Sequence, residues 1–383
     1  MAVTVGLIEQ LIEALAPKTW AESWDNPGLL VGDGGQKVRQ ILLALDGVPA
    51  VVDEAAALGA ELIVTHHPPL FQPLRNLRGD NPAAQVPLSL YRRGIACLAA
   101  HTNLDQSPLS SSLAFGRLLP LGETDFLEPT GAESLYKLVV FTPPAQTENV
   151  RLALAGAGVG AGVSGGPRSA LYAECFFRTE GEGMFRPLPG AEPHSGRVGE
   201  LARVAETRLE SVVAGRNLNR ALRALRRAHP YEEPAYDVMA LTGEGEKRGY
   251  GLCGLLPAVT PLSAVRESFL AALAAPASAL WAHPYDLSVI RWFGPPDHPV
   301  RRVAISNGSG NALAARALAC GADLFITGEL DYHHRLDCLS RGVAVAELGH
   351  FLSEAPMLPA LARYLRGQKE LAGVIISVSR QEN

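Results

Sequence analysis

Cysteine is scarce in this sequence of 383 residues, which contains five: Cys97, Cys175, Cys253, Cys320 and Cys338. They are scattered, and no two of them form a C-x-x-C pair, so neither a cysteine zinc site nor a disulfide framework is indicated. We interpret the five residues as small buried apolar side chains of a protein in a reducing compartment.

The sequence also lacks an excess of positive charge and a long apolar run. The formal net charge is −5 and there is no dense stripe of Lys and Arg, which disfavours binding to nucleic acid through its phosphates. A membrane-spanning helix needs about 20 apolar residues, and the best candidate segment is shorter. The N-terminal segment carries Glu9 and Glu13 in an amphipathic pattern without a basic start, so no secretory signal is expected. A hydrophobic content of 47% then predicts a soluble, cytoplasmic globular protein without a membrane partner.

The chain does contain a repeated alternation of strand-like and helix-like segments. Its length predicts two or three domains. We expect an α/β fold in which two related halves, residues 1–130 and 246–383, form one core with mainly parallel sheets. The halves match in detail, because Gly59-Ala60 and Thr65 correspond to Gly321-Ala322 and Thr327 at one constant offset.

The middle of the chain, residues 131–245, has a different pattern that is richer in Gly and Pro. Strand-like segments at Tyr136–Phe141 and Tyr236–Ala240 frame it. Between them we predict helices at Thr147–Ala157 and Leu218–Arg227 and strands near Leu171–Phe177. The order β-α-β-β-α-β indicates an inserted α+β domain of the ferredoxin-like type. Such an insertion is tolerated because the ends of a domain of this kind lie close together.

Imidazoles and carboxylates follow the predicted strands, where ligands of open α/β sheets collect. The candidates in the first half are His66, His67, His101 and Asp105, and those in the second half are Glu329, His350 and Glu354. Adjacent residues of an extended segment point to opposite sides, so His66 and His67 are poorly placed to chelate one ion. His350 and Glu354, four residues apart, can face the same way on a helix. These candidates outnumber the three ligands of one catalytic ion, which favours two ions, each being Zn, Fe, Mn, Ni or Co.

Each of these motifs has a simpler interpretation when taken alone. A single H-H-P at a strand end is a weak metal signal. H-T-N-L-D could be an Asx turn that caps a helix beginning near Leu109, and H-x-x-x-E occurs on many surface helices by chance. Their occurrence at equivalent positions of strand–helix repeats is what favours a metal centre. In the middle segment, His229, Tyr231, Glu232 and Glu233 form either a binding site or, as we favour, a turn with packing contacts.

Five ordered motifs resemble those of a known family. They are W-D-N-P-G-L-L-V-G (24–32), T-H-H-P-P-L (65–70), H-T-N-L-D (101–105), T-G-E-L-D-Y-H (327–333) and G-H-F-L-S-E (349–354). The family is the GTP cyclohydrolase 1 type 2-like proteins, also described as dinuclear-metal-centre hexamers. The resemblance spans essentially the whole chain and includes H-P-Y-E-E-P-A-Y-D (229–237) in a cation-tolerance-type insertion.

The resemblance implies a ligand set and an assembly. The implied metal ligands are His66, His67, Asp105, His350 and Glu354, with Glu354 as the bridge between two divalent ions. Members of the family assemble as ring-shaped homohexamers, which makes further copies of this chain the expected partner. One motif departs from the common T-G-D-I-K-Y-H, because this chain has Glu329 and Asp331 in it.

Two functions follow as hypotheses. The first is a metal-dependent hydrolase in which two ions activate a bridging hydroxide for attack on a small-molecule substrate. His101 or His333 would then shuttle protons, and Glu329 would orient one of them or a metal ligand. The second is a non-catalytic metal-handling or regulatory protein that acts through its ring and inserted domain. No P-loop or G-x-G-x-x-G follows a strand, so the residues do not specify GTP as a substrate.

Overall fold

The structure is a computed structural model that describes residues 2–161, 171–242, 245–275 and 280–381. Within those ranges, no helix is both long enough and apolar enough to cross a membrane. By internal contacts the chain divides into two compact units, Met1–Thr130 with Gly249–Asn383, and Gly131–Arg248.

Seventeen strands are described: β1 Gly28–Val31, β2 Gln40–Ala44, β3 Leu62–Thr65, β4 Ala96–Ala99, β5 Gly122–Asp125, β6 Glu128–Ala132, β7 Leu135–Thr142, β8 Phe176–Phe185, β9 Ala202–Ala214, β10 Tyr236–Ala240, β11 Lys247–Tyr250, β12 Leu252–Pro261, β13 Arg291–Phe293, β14 Pro299–Ile305, β15 Leu324–Thr327, β16 Ala344–Glu347 and β17 Ile375–Val378. The described α-helices are α1 Val5–Leu15, α2 Pro49–Leu58, α3 Pro82–Arg93, α4 Thr102–Asp105, α5 Ser111–Gly116, α6 Thr147–Gly156, α7 Gly215–Ala228, α8 Leu262–Ala274, α9 Asn311–Ala319, α10 Tyr332–Ser340, α11 His350–Glu354 and α12 Met357–Arg366.

The first sheet has the strand order β1-β4-β3-β2-β17 and is parallel except at β1. Its central strands are wholly apolar apart from their ends and are buried on both faces, as parallel strands covered by crossover helices must be. The crossover helices have clear boundaries. α2 begins at Pro49 and ends at Gly59, whose left-handed backbone (φ 73°) terminates it.

The second sheet has the order β13-β16-β15-β14-β12-β5. Only its central strands β14, β15 and β16 are parallel, while β13, β12 and β5 all join antiparallel. The expected parallel arrangement is therefore present at the centre of this sheet, and its remaining strands are antiparallel. The periodic strand–helix alternation predicts only strands joined by helical crossovers, and antiparallel edge strands have no such signature.

Both sheets belong to the first unit, and they exchange elements between the sequence halves. β17, near the C-terminus, pairs with β2 of the first sheet, and β5, from the first half, pairs with β12 of the second. The helix α12 packs Leu358 and Leu361 in one core cluster with Ile8 and Ile12 of α1. The two halves are consequently tied together by strand pairing as well as by apolar packing.

The second unit contains a four-stranded antiparallel sheet of order β10-β7-β9-β8. With α6 and α7 its element order is β-α-β-β-α-β, as the sequence predicted. The two inner strands were predicted near Leu171–Phe177. β8 begins at the end of that segment and runs over Phe176–Phe185, whereas β9 lies later in the chain, over Ala202–Ala214. β9 escaped prediction because its solvent-facing Arg and Glu residues interrupt the apolar run, although its burial alternates as a half-exposed strand requires.

The motif around His229 in this unit is a packing turn. His229 is buried, its Nε2 lies 2.9 Å from the Phe141 carbonyl, and its Nδ1 accepts the Tyr231 N–H. Both ring nitrogens are therefore occupied within the fold.

Candidate metal centre

Equivalent strands of the two repeats present the candidate ligands. His66 and His67 directly follow β3, and His101 caps the short helix α4, which contains Asp105 and follows β4. In the second repeat, β16 leads through Gly349 into α11, which begins at His350 and ends at Glu354. Both repeats thus place a histidine and a carboxylate four residues apart on one short helical turn.

Glu354 lies at the centre of the cluster. Its Oε1 is 3.8 Å from His66 Nε2, and its Oε2 is 3.1 Å from His67 Nε2 and 3.3 Å from His350 Nε2. His66 Nε2 is also 3.7 Å from Asp105 Oδ1. Donor atoms that surround one ion at the usual 2.0–2.1 Å are separated by roughly 3.3 Å in a tetrahedral site, so the observed separations fit shared coordination.

The ligand atoms form two overlapping groups whose members lie within 4.8 Å of one another. One group is His67, His350 and Glu354, and the other is His66, His67 and His101. His101, which the sequence analysis treated as a proton shuttle, thus stands among the atoms able to hold a metal. Its ring centroid is 5.1 Å from that of His66 and 5.4 Å from that of His67.

Two of these atoms are buried without a hydrogen-bonding partner. They are His66 Nε2 and Glu354 Oε2. Oε2 lies close to two imidazoles but makes no hydrogen bond of acceptable geometry with either. Buried polar atoms normally make hydrogen bonds, and a buried donor or acceptor without one costs about 1–3 kcal/mol. A cation between these donors would satisfy both at once, so the residues fit a divalent metal.

A ring of oxygen atoms orients the four imidazoles. Each Nδ1 lies within 3.0 Å of an acceptor: His66 with the Ala100 carbonyl, His67 with Asp46, His101 with Asp25 and His350 with Glu329. Donation of the Nδ1 proton to these oxygens fixes the tautomer in which Nε2 carries the free lone pair. All four Nε2 atoms are thereby available to a metal, and three of the four acceptors are carboxylates that raise the basicity of the ring.

Electrostatics distinguishes the two adjacent histidines. Burial lowers the pKa of His66, whereas burial of His67 is outweighed by its contacts with Asp46 and Glu354, which raise its pKa to about 10. Contact with Glu354 raises the pKa of His350 to about 9. Burial alone would raise the pKa of Glu354, but His350 and His67 hold it below its usual range. Without a metal, the carboxylate is therefore balanced by protonated imidazoles.

The loop Ser306–Gly310, which the sequence analysis did not single out, supports both carboxylates. The Asn307 amide donates to Asp105 Oδ1 at 2.7 Å and accepts from the Ser112 hydroxyl at 2.7 Å. Gly308 has a left-handed backbone (φ 59°), and a Cβ at this position would collide with Glu354 Oε1. The loop therefore fixes Asp105 by a hydrogen bond and Glu354 by close backbone approach.

One face of the centre is open and aromatic. Glu354 and His66 are almost completely buried, but the His350 side chain is 38% exposed. Trp24 and Phe71, both exposed, lie with ring centroids 6.1 and 6.3 Å from that of His101. Asn26 tethers this wall, since its amide donates to the Leu70 carbonyl at 2.6 Å.

The geometry is accompanied by similarity along the whole chain. A family model described as Duf34/NIF3 (NGG1p interacting factor 3) matches residues 3–383. The chain belongs to the Duf34/NIF3 family.

Curated relatives in this family support the motif resemblance. A Halalkalibacterium halodurans protein named GTP cyclohydrolase 1 type 2 homolog is 36% identical over 341 residues, which cover 89% of this chain and 87% of that protein. A Bacillus subtilis protein of the same name is 35% identical over 90% of this chain and 87% of its own length. A solved structure, a Bacillus cereus protein related to NIF3, superposes with a TM-score of 0.76 at 33% identity, covering 100% of this chain and 98% of that one.

The remaining site candidates lie at different distances from the cluster. Glu329 lies 3.0 Å from His350 Nδ1 and so orients the His350 ring from outside the cluster of candidate ligands. His333 is exposed, and its ring contacts Tyr332. In the described part of the chain, no hydrogen bond or ion pair joins His333 to the cluster. Asp331 caps α10 by accepting from the His334 N–H, which accounts for the acidic residue at that place in the motif.

Two outer-layer residues, Asp25 and Asp46, escaped the sequence analysis. Asp25 lies inside the W-D-N motif, and its two oxygens contact the His101 ring and the Thr102 N–H. Two sequence features could have indicated them. Asp46 follows the end of β2, and Asp25 belongs to the W-D-N-P-G motif. The alternative interpretation of H-T-N-L-D as a simple helix cap is not supported, because Asp105 accepts from Asn307 of the other repeat.

Proposed function

We propose that this protein is a metal-dependent hydrolase with two divalent ions per chain, one on each side of Glu354. The supporting observation is the Glu354 carboxylate, whose Oε1 is 3.8 Å from His66 Nε2 while its Oε2 is 3.1 Å from His67 Nε2 and 3.3 Å from His350 Nε2. A carboxylate so placed can bridge two ions. Donors limited to imidazole and carboxylate suit Zn, Fe, Mn, Ni or Co.

Under this proposal, His66, Asp105 and Glu354 would hold one ion, and His67, His350 and Glu354 would hold the other. His101 lies beside His66 and His67 and adds a further imidazole to this set. When bound, a pair of divalent ions supplies Lewis acidity and lowers the pKa of a water at the site.

The side chains of the protein perform the remaining tasks. Asp25, Asp46 and Glu329 hold the histidine rings so that each Nε2 stays directed at the centre. Glu329 is 54% exposed and its carboxylate reaches solvent, so it can pass a proton between solvent and the site. Trp24 and Phe71 offer apolar surface for a substrate at the open face.

The openness of the centre favours a catalytic over a purely structural role. Structural metal sites are closed by their ligands, whereas catalytic sites keep a position accessible. Here His350 and His67 are 38% and 25% exposed at their side chains. A non-catalytic metal-handling role remains the alternative hypothesis, and the substrate panel below distinguishes the two.

The test is turnover of a panel of phosphoesters, carboxylic esters, nucleotides and cyclic amides by protein loaded separately with Zn, Mn, Fe, Co and Ni. We expect at least one substrate class to be hydrolysed by loaded wild type and not by loaded Glu354→Gln. Equal turnover after removal of the metal, or inactivity with every metal and substrate class, would contradict a hydrolase. In the second case, retention of metal would favour metal handling.

The family resemblance also leads us to propose assembly of this chain as a homohexameric ring. Light scattering coupled to gel filtration should give six times the mass of one chain. A monomer or dimer at micromolar concentration would contradict this part of the proposal.

A further inference from the structure

Two cysteines that are distant in sequence meet in the second sheet. The Sγ atoms of Cys253 and Cys320 are 3.1 Å apart, and the two thiols hydrogen-bond each other. Cys253 is buried at 7% exposure, whereas Cys320 is partly accessible. The expectation that all five cysteines are buried is wrong for Cys175, which is exposed, and Cys320 is only partly buried.

Regular structure holds both partners in place. Cys253 lies on β12, where it pairs with Ala304 of β14 on one side and Asp125 of β5 on the other. Cys320 ends α9, where its N–H donates to the Arg316 carbonyl and its thiol contacts the Ala317 carbonyl. A disulfide requires an S–S separation of about 2.05 Å. The two sulfurs are therefore about 1 Å beyond bonding distance.

The surroundings favour a thiolate in this pair. Contact with the Cys320 thiol, assisted by the Arg302 guanidinium, lowers the pKa of Cys253 to about 6, although burial acts in the opposite direction. The same contact raises the pKa of Cys320, so the two sulfurs share one proton near neutral pH. Thiolates rather than thiols attack disulfides, which makes a pair with one proton competent for exchange.

We propose that Cys253 and Cys320 are a reversible redox pair that exchanges with low-molecular-weight disulfides such as oxidised glutathione. In the minor form in which the shared proton lies on Cys253, the accessible Cys320 is a thiolate and attacks one sulfur of the small disulfide. This breaks the S–S bond of the small disulfide and releases one small thiolate, which takes the proton from Cys253. Cys253 then attacks Cys320 Sγ in the mixed disulfide and releases the second small thiol. Two protein thiols are oxidised, one small disulfide is reduced to two thiols, and no other oxidant is needed.

The oxidised pair would fasten the C-terminal end of α9 to β12. The elements involved flank the Ser306–Gly310 loop, since β14, the neighbour of β12, precedes the loop and α9 follows it. Cys320 lies at the far end of the nine-residue helix from the loop, roughly 13 Å away at the α-helical rise per residue. Oxidation is therefore expected to stabilise the fold while leaving metal content unchanged.

The experiment uses the full chain in its metal-containing form with a Cys175→Ser background, which removes the exposed competing thiol. After incubation with oxidised glutathione, we expect an intact mass lower by two hydrogens without an adduct. A non-reduced proteolytic digest should contain the peptide that joins Cys253 to Cys320. The melting temperature should rise by several degrees on oxidation and return after reduction.

Single variants locate the reaction. Adding Cys320→Ser should abolish the mass change, and adding Cys253→Ser should instead leave a stable glutathione adduct on Cys320. Cys338→Ser, which removes a buried cysteine of α10, is the matched control and should react as the parent does. A glutathione adduct without the internal link in the parent protein, or a disulfide that forms only after unfolding, would overturn the proposal.

Discussion

The two strand–helix repeats of the first unit contribute unequal parts of one centre. The first repeat supplies three imidazoles and Asp105, while the second supplies one imidazole, the shared carboxylate Glu354 and the loop that supports both acids. Both place a histidine and an acid four residues apart, but the longer side chain of Glu354 reaches the middle of the cluster. In the proposed two-metal centre, this longer side chain would let Glu354 bridge the ions while Asp105 holds one of them.

Neutralising Glu354 and Asp105 in turn should give the largest difference between the two repeats. Glu354→Gln should abolish binding of both ions, whereas Asp105→Asn should weaken only the ion held with His66. We expect losses in affinity for Glu354→Gln that exceed the roughly 10–100-fold typical of outer-layer changes. Competition with a chromogenic chelator measures both affinities. Equal losses in the two variants would contradict the distinction between bridging and terminal acids.

Gly308 tests whether the close approach of the loop to Glu354 matters. Gly308→Ala should displace Glu354 and lower metal affinity by about tenfold or more, in the range of other support changes. Gly321→Ala is the matched control, because Gly321 also has a left-handed backbone (φ 72°) but has open space where the Cβ would lie. Both variants carry a backbone strain of about 1–2 kcal/mol.

Thermal unfolding and metal titration separate the two effects. We expect similar losses of stability in the two glycine variants and a loss of metal affinity in Gly308→Ala alone. Unchanged metal affinity in Gly308→Ala would show that Glu354 does not depend on this contact.

The outer carboxylates should rank by burial. Asp25→Asn and Asp46→Asn should each reduce metal affinity by about 10–100-fold, because the ring they orient loses its charged acceptor. Glu329→Gln should have a smaller effect, since Glu329 is 54% exposed while the Asp25 side chain is completely buried. Isothermal titration with Zn or Co gives the order, and a larger effect at Glu329 would contradict it.

Metal affinity should also depend on pH. In the metal-free protein, His67 and His350 have pKa values of about 10 and about 9, so both carry a proton at pH 7 that a metal must displace. Affinity should therefore increase with pH by up to about tenfold per unit for each displaced proton, until pH passes these pKa values. His66, whose pKa is lowered, should contribute no proton. Titrations between pH 6.5 and 8.5 test this, and a flat profile would contradict it.

Local periodicity explains why much of this structure was predictable from sequence. The ends of α2 and α10 follow from local chemistry, because Pro49 and Gly59 bound α2 and Asp331 caps α10. The antiparallel strands β5, β12 and β13 depend on pairing with distant segments, so no local pattern specified them.

The candidate site divides in the same way. His66, His67, Asp105, His350 and Glu354 follow predicted strands, and strand ends are predictable positions. Asp25, Asn307 and Gly308 act through contacts with residues 76 to more than 200 positions away, or through close packing, which spacing cannot express. The place of His101 among the candidate ligands could have been predicted, because its spacing to Asp105 equals that of His350 to Glu354.

The two-metal centre is tested by the metal content per chain. It is measured by mass spectrometry on wild type, His67→Ala and Glu354→Ala after purification and reconstitution. We predict close to two ions in wild type and a decrease in both variants, larger for Glu354→Ala than for His67→Ala. Absence of metal in wild type after reconstitution with Zn, Mn, Fe, Co and Ni, or wild-type content in Glu354→Ala, would contradict a two-metal centre bridged by Glu354.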